Sequence, residues 1–367
     1  MRRSRRRAAR LPPAAAEELT DVPSGLRPLV MRCGAFGDMV LLTPLIRALA
    51  ARFGAPVDIV SSGSWTGPLL TGQPGVGELF LVRSRRRPYL VSPDQWELVR
   101  RLKRRGVGPT WFLDPEGIGK SLLRRAGIGE EWIVDGADLP RLPSEHYLDR
   151  YRRIAALCPP ALGDPPAAVP AAAPGGAALE VSQAARTELT AWLGALGLVG
   201  RRLLLVQAGN KRTMRRGGRR RSSNTKYWPE QRWAEVIAGM RARCPTHAVL
   251  LLGVPSEYAL NEDIRLRLKD PDVINVARDL PMARLLALLE RADAMVSVDT
   301  GPAHAAAALG LPEIVLFGAV DPALYRPRGA PGAPVVCVQA DPPGPLEALA
   351  AGPVIAAFAM LPLRAPR

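Results

Sequence analysis

Short apolar runs alternate with longer segments of helical periodicity along most of the chain. The runs are rich in Val, Ile and Leu and are flanked by turn-forming or polar residues. Uninterrupted apolar runs of this length are typical of buried parallel strands, and their alternation with helices predicts an α/β fold with helices on both faces of the sheets. The predicted strands are 28–33, 57–61, 79–83, 110–113, 132–134, 203–207, 248–253, 273–276, 294–298, 314–317 and 335–338.

A proline- and alanine-rich stretch, 159–178, separates the first five predicted strands from the last six. It has neither helical nor strand periodicity, which is typical of a linker. We therefore predict a basic flexible N-terminal tail at 1–26, one α/β domain at 27–158 and a second at 179–345. The remaining segment, 346–367, contains an apolar stretch that suits a final helix.

The composition is that of a packed protein with an excess of positive charge: 47% of the 367 residues are apolar and the formal net charge is +16. The four cysteines form no C-x-x-C pair, which disfavours a zinc ribbon or a disulfide framework. The basic start is not followed by the apolar stretch of a signal peptide, and no apolar run is long enough to span a bilayer. We therefore expect a cytoplasmic location.

Most of the excess charge lies in two stretches, 1–10 with six arginines and 211–221 with seven basic residues and no acidic one. Such charge implies an anionic partner, namely nucleic acid, a phospholipid surface or a phosphorylated substrate; solvated arginine-rich tails are the alternative. Neither stretch has an aromatic residue on which bases stack, so nucleic acid is disfavoured. We expect the two stretches to hold the protein at an anionic membrane surface.

The first candidate site follows the first predicted strand, in the run Arg32-Cys33-Gly34-Ala35-Phe36-Gly37-Asp38. Glycines there let a ligand approach the strand end, where open α/β sheets bind ligands, and Asp38 would present a carboxylate to the crevice. Asp38 also stands where a helix cap is expected, so a purely capping role is the alternative. The helix should run on to Gly54 with a kink at Pro44. The pattern lacks the G-x-G-x-x-G of dinucleotide-binding proteins.

The second candidate site is Asp299-Thr300-Gly301-Pro302-Ala303-His304, at the end of another predicted strand. Pro302 suits the first position of a helix, so a helix N-terminus with unpaired N–H groups opens beside Thr300 and Gly301. Those groups and the helix dipole form a site for an anion. His304 lies one turn into the helix, where a packed histidine without a ligand is the alternative.

Further polar residues follow neighbouring strands of the same predicted sheet. They are Gln207-Ala208-Gly209-Asn210, Lys226 ahead of a helix, and Glu257. Because the carboxyl ends of parallel strands share one edge of a sheet, these residues suit a nucleotide pocket. Lys226 would neutralise a diphosphate, and Glu257 would accept hydrogen bonds from ribose hydroxyls.

Two motif look-alikes are rejected. Gly117-Ile118-Gly119-Lys120-Ser121 resembles the end of a phosphate-binding P-loop, but Asp114 stands at the position of the required glycine. Asp270-Pro271-Asp272 resembles a metal–diphosphate pair, but it precedes a strand in a proline turn, where solvation is expected. We predict no metal site.

Together the motifs resemble those of the ADP-heptose:lipopolysaccharide heptosyltransferase family, which are glycosyltransferases of the GT-B type. The resemblance implies two facing Rossmann-like domains, the N-terminal one for the acceptor and the C-terminal one for a nucleotide-sugar. It also implies a final helix that crosses back onto the N-terminal domain. The motifs are Arg32-x-Gly34-Ala35-x-Gly37-Asp38, Asp114-x-Glu116-Gly117-x-x-Lys120-Ser121, Lys226-x-Trp228-Pro229 and Asp299-Thr300-Gly301-Pro302-Ala303-His304.

The activity that the resemblance implies is an inverting transfer of heptose to an anionic, lipid-linked lipopolysaccharide core acceptor. ADP-heptose would be the donor substrate, and no cofactor is implied. Asp38 is implied as the catalytic base, and Arg32 and Lys120 as contacts to the acceptor. The residues implied in donor binding are Lys226, Glu257, Leu280, Asp299, Thr300, Gly301 and His304.

This sequence departs from the family pattern at three places: Glu116 stands where Gln is usual, 211–221 is unusually basic, and 1–26 has no counterpart. These departures leave the identity of the acceptor open. Two alternative functions remain at this point, a GT-B enzyme with a different sugar nucleotide and a catalytically silent nucleotide-sugar or RNA-binding protein.

Overall fold

The computed structural model describes residues 26–84, 86–114, 117–163, 175–210, 224–329 and 332–365. Within them the chain forms two α/β units, each built around a parallel sheet. All eleven predicted strands are present, and the predicted α/β fold class is confirmed. Residues 1–25 of the predicted tail, 164–174 of the predicted linker, the basic stretch 211–221 and Glu116 lie outside the described residues.

The first sheet has five strands in the order β3-β2-β1-β4-β5. Helices cover both of its faces: α2 and α6 pack on one, α4 and α5 on the other. The strands are β1 (Leu29–Met31), β2 (Val57–Ser61), β3 (Val76–Leu81), β4 (Thr110–Phe112) and β5 (Ile133–Asp135). The helices are α1 (Phe36–Leu41), α2 (Thr43–Phe53), α3 (Thr66–Leu70), α4 (Pro93–Arg105), α5 (Ile118–Arg125) and α6 (Tyr147–Ala156).

The second sheet has six strands in the order β11-β10-β9-β6-β7-β8. Helices α7, α10 and α11 pack on one face, and α8, α9 and α13 on the other. The strands are β6 (Leu203–Gln207), β7 (Ala248–Leu251), β8 (Val273–Asn275), β9 (Ala294–Val298), β10 (Glu313–Phe317) and β11 (Val335–Gln339). The helices are α7 (Gln183–Ala195), α8 (Glu230–Arg243), α9 (Tyr258–Leu268), α10 (Met282–Arg291), α11 (Gly301–Ala308), α12 (Pro322–Tyr325) and α13 (Ala351–Met360).

The helix that follows β1 is broken near Pro44, as predicted. It divides at Leu42 into α1 and α2, because proline has no N–H to donate and its ring blocks the preceding turn. It then ends at Gly54, which adopts the left-handed conformation (φ 58°) that closes a helix C-terminus without side-chain strain. The break places α1 as a short separate helix at the carboxyl edge of the first sheet.

The final helix, α13, packs within the second unit. Val354 and Phe358 are buried in the same hydrophobic cluster as Trp233 and Ile237 of α8. The prediction that this helix crosses back onto the N-terminal domain is therefore wrong. The apolar residues of α13 predicted that this helix is buried, but their pattern did not specify which surface covers it.

Apolar packing is continuous between the two units. One hydrophobic cluster contains Leu45 and Ile154 of the first unit together with Leu189 and Leu288 of the second. The segment after the linker adds polar contacts, since Gln73 Nε2 donates to the carbonyl oxygen of Glu180 (2.8 Å). Helix α1 at the carboxyl edge of the first sheet contacts α11 at the carboxyl edge of the second, and we call the space bordered by these two edges the cleft. In the part of the chain that the structure describes, no helix is long and apolar enough to cross a membrane.

Glu313, the first residue of β10, is fully buried, and neither of its carboxyl oxygens has a hydrogen-bond partner among the described residues. Burial, helped by the nearby negative charge of Asp299, raises the pKa of Glu313 well above its ordinary value. An acid whose pKa is raised on folding favours the native state only while it stays protonated. The native protein therefore loses stability as the pH rises above about 4.3, the pKa of an unfolded Glu.

We expect Glu313→Met to raise the free energy of unfolding at pH 8 by about 1–3 kcal/mol, since it removes an unsatisfied buried polar group. At pH 4 the gain should be smaller, because the wild-type carboxyl is then protonated in both states. Urea unfolding of both proteins at the two pH values measures this. A gain that does not change with pH would contradict the assignment of a buried acid.

Candidate active site

Two helix N-termini face each other across the cleft. Helix α1 follows β1 in the first unit, and α11 follows β9 in the second. They approach so closely that a Cβ atom at Gly37 would lie 2.8 Å from Cδ2 of His304, and one at Gly301 would lie 2.5 Å from Cδ1 of Phe36. Both glycines are needed for this approach, which brings the two sequence-predicted sites together.

Asp38 lies in the first turn of α1 with a third of its side chain exposed. Its Oδ2 accepts a hydrogen bond from the backbone N–H of Ala35 (2.7 Å), and its Oδ1 lies 3.3 Å from Nη2 of Arg32. The carboxylate thus caps the helix start and also remains open to the cleft. The capping and the functional interpretations of Asp38 are therefore compatible.

Arg32 is a fixed cation beside Asp38. Its side chain is mostly buried, and its Nη1 donates to the carbonyl oxygen of Leu113 (2.8 Å). Burial alone would lower the pKa of Arg32, but Tyr151 and Asp38 outweigh it and the pKa is raised. Burial also raises the pKa of Tyr151 to about 12, so this hydroxyl stays neutral. The guanidinium therefore remains charged next to the Asp38 carboxylate.

Lys120 lies in the first turn of α5, at the same edge of the first sheet, but its ammonium forms an ion pair with Asp135. The hydrogen bond from Lys120 to Asp135 raises the pKa of Lys120. The structure thus places Lys120 at the carboxyl edge of the first sheet without joining it to Arg32 and Asp38. In the same motif, a Cβ atom at Gly119 would collide with the side chain of Met31, so this glycine serves packing.

On the opposite wall, Lys226, Asp299 and His304 form one charged cluster. Lys226 Nζ pairs with the Asp299 carboxylate and donates to the Asp299 carbonyl oxygen (3.0 Å). His304 Nε2 lies 3.6 Å from the other carboxylate oxygen, Oδ1. Burial opposes ionisation of Asp299, but His304 and Lys226 prevail, so the pKa of Asp299 is lowered. The cluster holds an ionised aspartate at the start of α11.

Thr300 and Gly301 form the N-terminus of α11, as predicted. Thr300 is the extended N-cap residue, and its Oγ1 lies 3.3 Å from Oγ of Ser297, which sequence reasoning missed. Gly301 and Pro302 begin the eight-residue helix. Its free N–H groups and dipole suit an anion in the cleft.

Glu257 is buried at the carboxyl end of β7. Its Oε2 accepts from the backbone N–H of Val254 (3.0 Å) and lies 3.5 Å from Nε2 of Gln207. Burial raises the pKa of Glu257 despite these hydrogen bonds. A Cβ atom at Gly209 would lie 2.7 Å from Oε1, so the chain after β6 can pass over the carboxyl only because residue 209 is glycine.

Leu280, between β8 and α10, lies at the same carboxyl edge and packs half-buried against the core. The parallel order of the strands therefore brings the donor-side candidates to one edge of the second sheet. No group of three or more His, Cys, Asp or Glu side chains in the described ranges could hold a metal ion. Asp270 and Asp272 lie at the opposite edge and are bridged by Arg241, rather than simply solvated as expected.

Sequence reasoning missed a set of contacts that joins the two units beside the cleft. His146 Nε2 hydrogen bonds to the carbonyl oxygen of Arg326 (2.9 Å), and Arg328 pairs with Asp149 (2.7 Å). The rings of Tyr147 and Tyr325 lie 4.9 Å apart. The helix-start pattern Asp321-Pro322 is a sequence signal near these contacts, but it does not specify them.

His146 should make the protein sensitive to acid. Burial lowers the pKa of His146 to about 4, whereas an unfolded histidine titrates near 6.5. The native state therefore loses stability as the pH falls from about 6.5 towards 4, by up to about 3 kcal/mol. We expect His146→Asn, which keeps an acceptor for the Leu148 N–H, to flatten this part of the stability–pH curve. Thermal unfolding between pH 4 and 7.5 measures it; parallel curves would contradict it.

The comparisons with known proteins agree with this geometry. A profile of glycosyltransferase family 9 (heptosyltransferase) matches residues 215–341. Over this range the chain is similar to glycosyltransferase family 9. The matched range contains Lys226, Glu257, Leu280 and 299–304, whereas Arg32, Asp38, Lys120 and the pocket candidates at 207–210 lie outside it.

Lipopolysaccharide heptosyltransferase 1 of Salmonella typhimurium is 35% identical over 109 residues, which cover 28% of this chain and 32% of that protein. The matching segment thus spans about a third of this relative's length.

Two solved structures share the whole architecture. The glycosyl transferase family 9 structure from Veillonella parvula superposes with a TM-score of 0.73 at 18% identity, covering 92% of this chain and 97% of that one. The E. coli heptosyltransferase WaaC with ADP superposes with a TM-score of 0.64 at 21% identity, covering 91% and 99%. The fold of these two structures thus extends over both units, and the two-domain GT-B architecture is confirmed.

Proposed function

We propose that this protein is a family 9 glycosyltransferase that moves heptose, with inversion, from ADP-heptose to an anionic, lipid-linked lipopolysaccharide core acceptor. The observation that carries the proposal is the approach of α1 and α11, which puts the Asp38 carboxylate opposite a helix N-terminus flanked by Lys226. A base and an anion-binding site then face each other across one cleft. The family match and the relative whose structure holds ADP support the choice of donor.

The proposed reaction is a single displacement. The Asp38 carboxylate takes the proton from an acceptor hydroxyl while that oxygen attacks the anomeric carbon of the donor. The bond from the anomeric carbon to the ADP oxygen breaks, and ADP leaves with the electron pair on the opposite face. One displacement inverts the anomeric configuration. Arg32 and Lys120 would hold anionic groups of the acceptor on the side of Asp38.

The second unit would stabilise the departing nucleotide. Negative charge grows on the diphosphate as the bond breaks, so donors already aimed at it lower the barrier. Lys226 has three N–H donors, of which two contact Asp299, so the third remains for a phosphate oxygen. Glu257 would accept hydrogen bonds from the ribose hydroxyls, and Leu280 would lie against the adenine.

The test is donor-dependent release of ADP in the presence of a defined heptose-deficient lipopolysaccharide core. We expect release with ADP-heptose, little with other sugar nucleotides, and an inverted anomeric centre in the product. The rate should persist in EDTA, because the chain's own cations are proposed to carry the charge. Release with another sugar nucleotide instead would favour a different GT-B transferase. Donor binding without release would favour a silent binding protein.

The acceptor also gives the proposed location. A lipid-linked acceptor is presented at a membrane surface, so we propose that the protein works as a peripheral protein at the cytoplasmic face of the inner membrane. The basic stretches 1–10 and 211–221 would add salt-dependent attraction to anionic lipid.

A further inference from the structure

An exposed apolar patch lies on the first unit, apart from the basic stretches already discussed. It consists of Leu90, Val91 and Trp96, whose exposed fractions are 81%, 63% and 45%. Leu90 and Val91 lie in a short 3₁₀ turn, and Trp96 lies in the first turn of α4. The indole Nε1 of Trp96 donates to the carbonyl oxygen of Tyr89 (2.6 Å). This hydrogen bond holds the three apolar side chains together as one surface.

Basic side chains frame this apolar patch. The solvent face of α4 continues from Trp96 through Arg100 and Arg104, both about two-thirds exposed. These two arginines share the single carboxylate of Glu97, at 2.5 and 3.5 Å. On the other side, the guanidinium of Arg125 lies 4.2 Å from the ring centroid of Tyr89. The patch is therefore apolar at its centre and cationic around it.

The segment that carries the apolar patch has a net positive charge, unlike the rest of the chain outside the two basic stretches. Residues 83–105 contain nine Arg or Lys and two acidic residues, a net charge of +7. Outside this segment and the two basic stretches 1–10 and 211–221, the rest of the chain carries a net charge of −4. The net positive charge outside the two basic stretches thus falls in the segment that carries the apolar patch, although the Arg105 guanidinium is buried in an ion pair with Asp58.

The position of the patch relates it to the acceptor side of the cleft. The segment 83–91 leaves the carboxyl end of β3, at the edge of the first sheet where β1 leads to Asp38 and β4 leads to Lys120. Helix α4 then runs back along the sheet and carries Arg100 and Arg104 away from that edge. The apolar centre therefore lies at the carboxyl edge of the first sheet, and the cations extend behind it.

We propose that this face docks on an anionic phospholipid bilayer, with Leu90, Val91 and Trp96 in the interfacial region and the surrounding cations against lipid phosphates. The inference rests on the proposed function, because a lipid-linked acceptor must be reached at a membrane. Exposed apolar patches mark interaction sites, and aliphatic and Trp side chains ringed by Arg suit the boundary between headgroups and acyl chains. A nucleic acid would match the cations but would leave the aliphatic side chains without a partner.

The test is sedimentation of the full chain with vesicles of phosphatidylglycerol and phosphatidylethanolamine, compared with neutral phosphatidylcholine vesicles. The test variant is Leu90→Ser/Val91→Ser/Trp96→Gln. Its matched control is Val199→Ser/Leu266→Ser/Met360→Ser, which removes side chains of similar exposure from the second unit. We expect the test variant to bind anionic vesicles at least about tenfold more weakly at physiological salt, and the control to bind like the wild type.

A second arm isolates the apolar contribution from the basic stretches. In 0.5 M salt their attraction is screened, so the difference between wild type and test variant should persist while overall binding weakens. Equal binding by the test variant, equal binding to neutral vesicles, or the same loss in the control would overturn the proposal. The proposal would also be overturned if the test variant lost affinity for a polyuridine probe but kept its affinity for anionic vesicles.

Activity separates this inference from the proposed function. With a deacylated, water-soluble acceptor, the test variant should release ADP at the wild-type rate. With the acceptor embedded in anionic vesicles, its rate should fall in parallel with its vesicle binding. A wild type that releases no ADP with either acceptor contradicts the proposed function, whereas the vesicle-binding results still decide the docking surface.

Discussion

Replacing Asp38 with Asn is expected to lower turnover by about 10²–10⁴-fold, the usual contribution of a general base. Asn keeps an oxygen that can accept from the Ala35 N–H, so the start of α1 is preserved. It has no carboxylate to take the acceptor proton. We therefore expect the loss in kcat, with the affinity for ADP unchanged. Steady-state ADP release and calorimetric titration of ADP measure the two quantities.

The matched control is Asp94→Asn. Asp94 also lies in the first turn of a helix, α4, and accepts backbone N–H groups, but they are those of Arg83 (2.9 Å) and Ser84 (2.8 Å) in the segment after β3. With a water-soluble acceptor, the control should retain wild-type turnover. If Asp38→Asn stays within a few-fold of the wild type, Asp38 is a helix cap and another group removes the proton.

The strands could be predicted from the sequence because most are buried on both faces and their apolar runs are uninterrupted. Five of the six strands in the second sheet agree with the predictions to within one residue at each end, and β6 and β9 agree at both ends. The largest shift occurs at β3, predicted at 79–83 and found at Val76–Leu81. This strand lies at the sheet edge, where Glu78 is exposed and breaks the apolar pattern.

The sequence predicted those parts of the candidate site that lie at the ends of strands. Parallel topology alone brings Lys226, Glu257 and Asp299 to one edge, so their neighbourhood followed from the sequence. The pairing of Lys120 with Asp135 did not, because it depends on the register of β4 against β5. The contact of His146 with Arg326 joins residues 180 positions apart, and no local pattern specifies it. Contacts of this kind decide how the units meet, and they require the tertiary structure.

The Lys226→Ala variant should bind ADP about 10- to 150-fold more weakly, which corresponds to the loss of about 1.5–3 kcal/mol from one hydrogen bond to a charged group. Lys120→Ala is the matched control. Both ammonium groups pair with an aspartate at a sheet edge, and both side chains are about one-third exposed. Lys120 lies in the other unit, so its removal should raise the KM for the acceptor and leave ADP affinity unchanged. Isothermal titration with ADP alone makes the comparison.

Lys226→Ala has a second effect on ADP binding, which the experiment must distinguish from the loss of the phosphate contact. Without the ammonium, the mostly buried Asp299 carboxylate would face the diphosphate directly and repel it. Adding Asp299→Asn to both the wild type and Lys226→Ala completes a double-mutant cycle. If Lys226 contacts the phosphate, its removal still weakens ADP binding in the proteins that carry Asp299→Asn. If the loss vanishes there, Lys226 only neutralises Asp299, and the N-terminus of α11 holds the diphosphate without it.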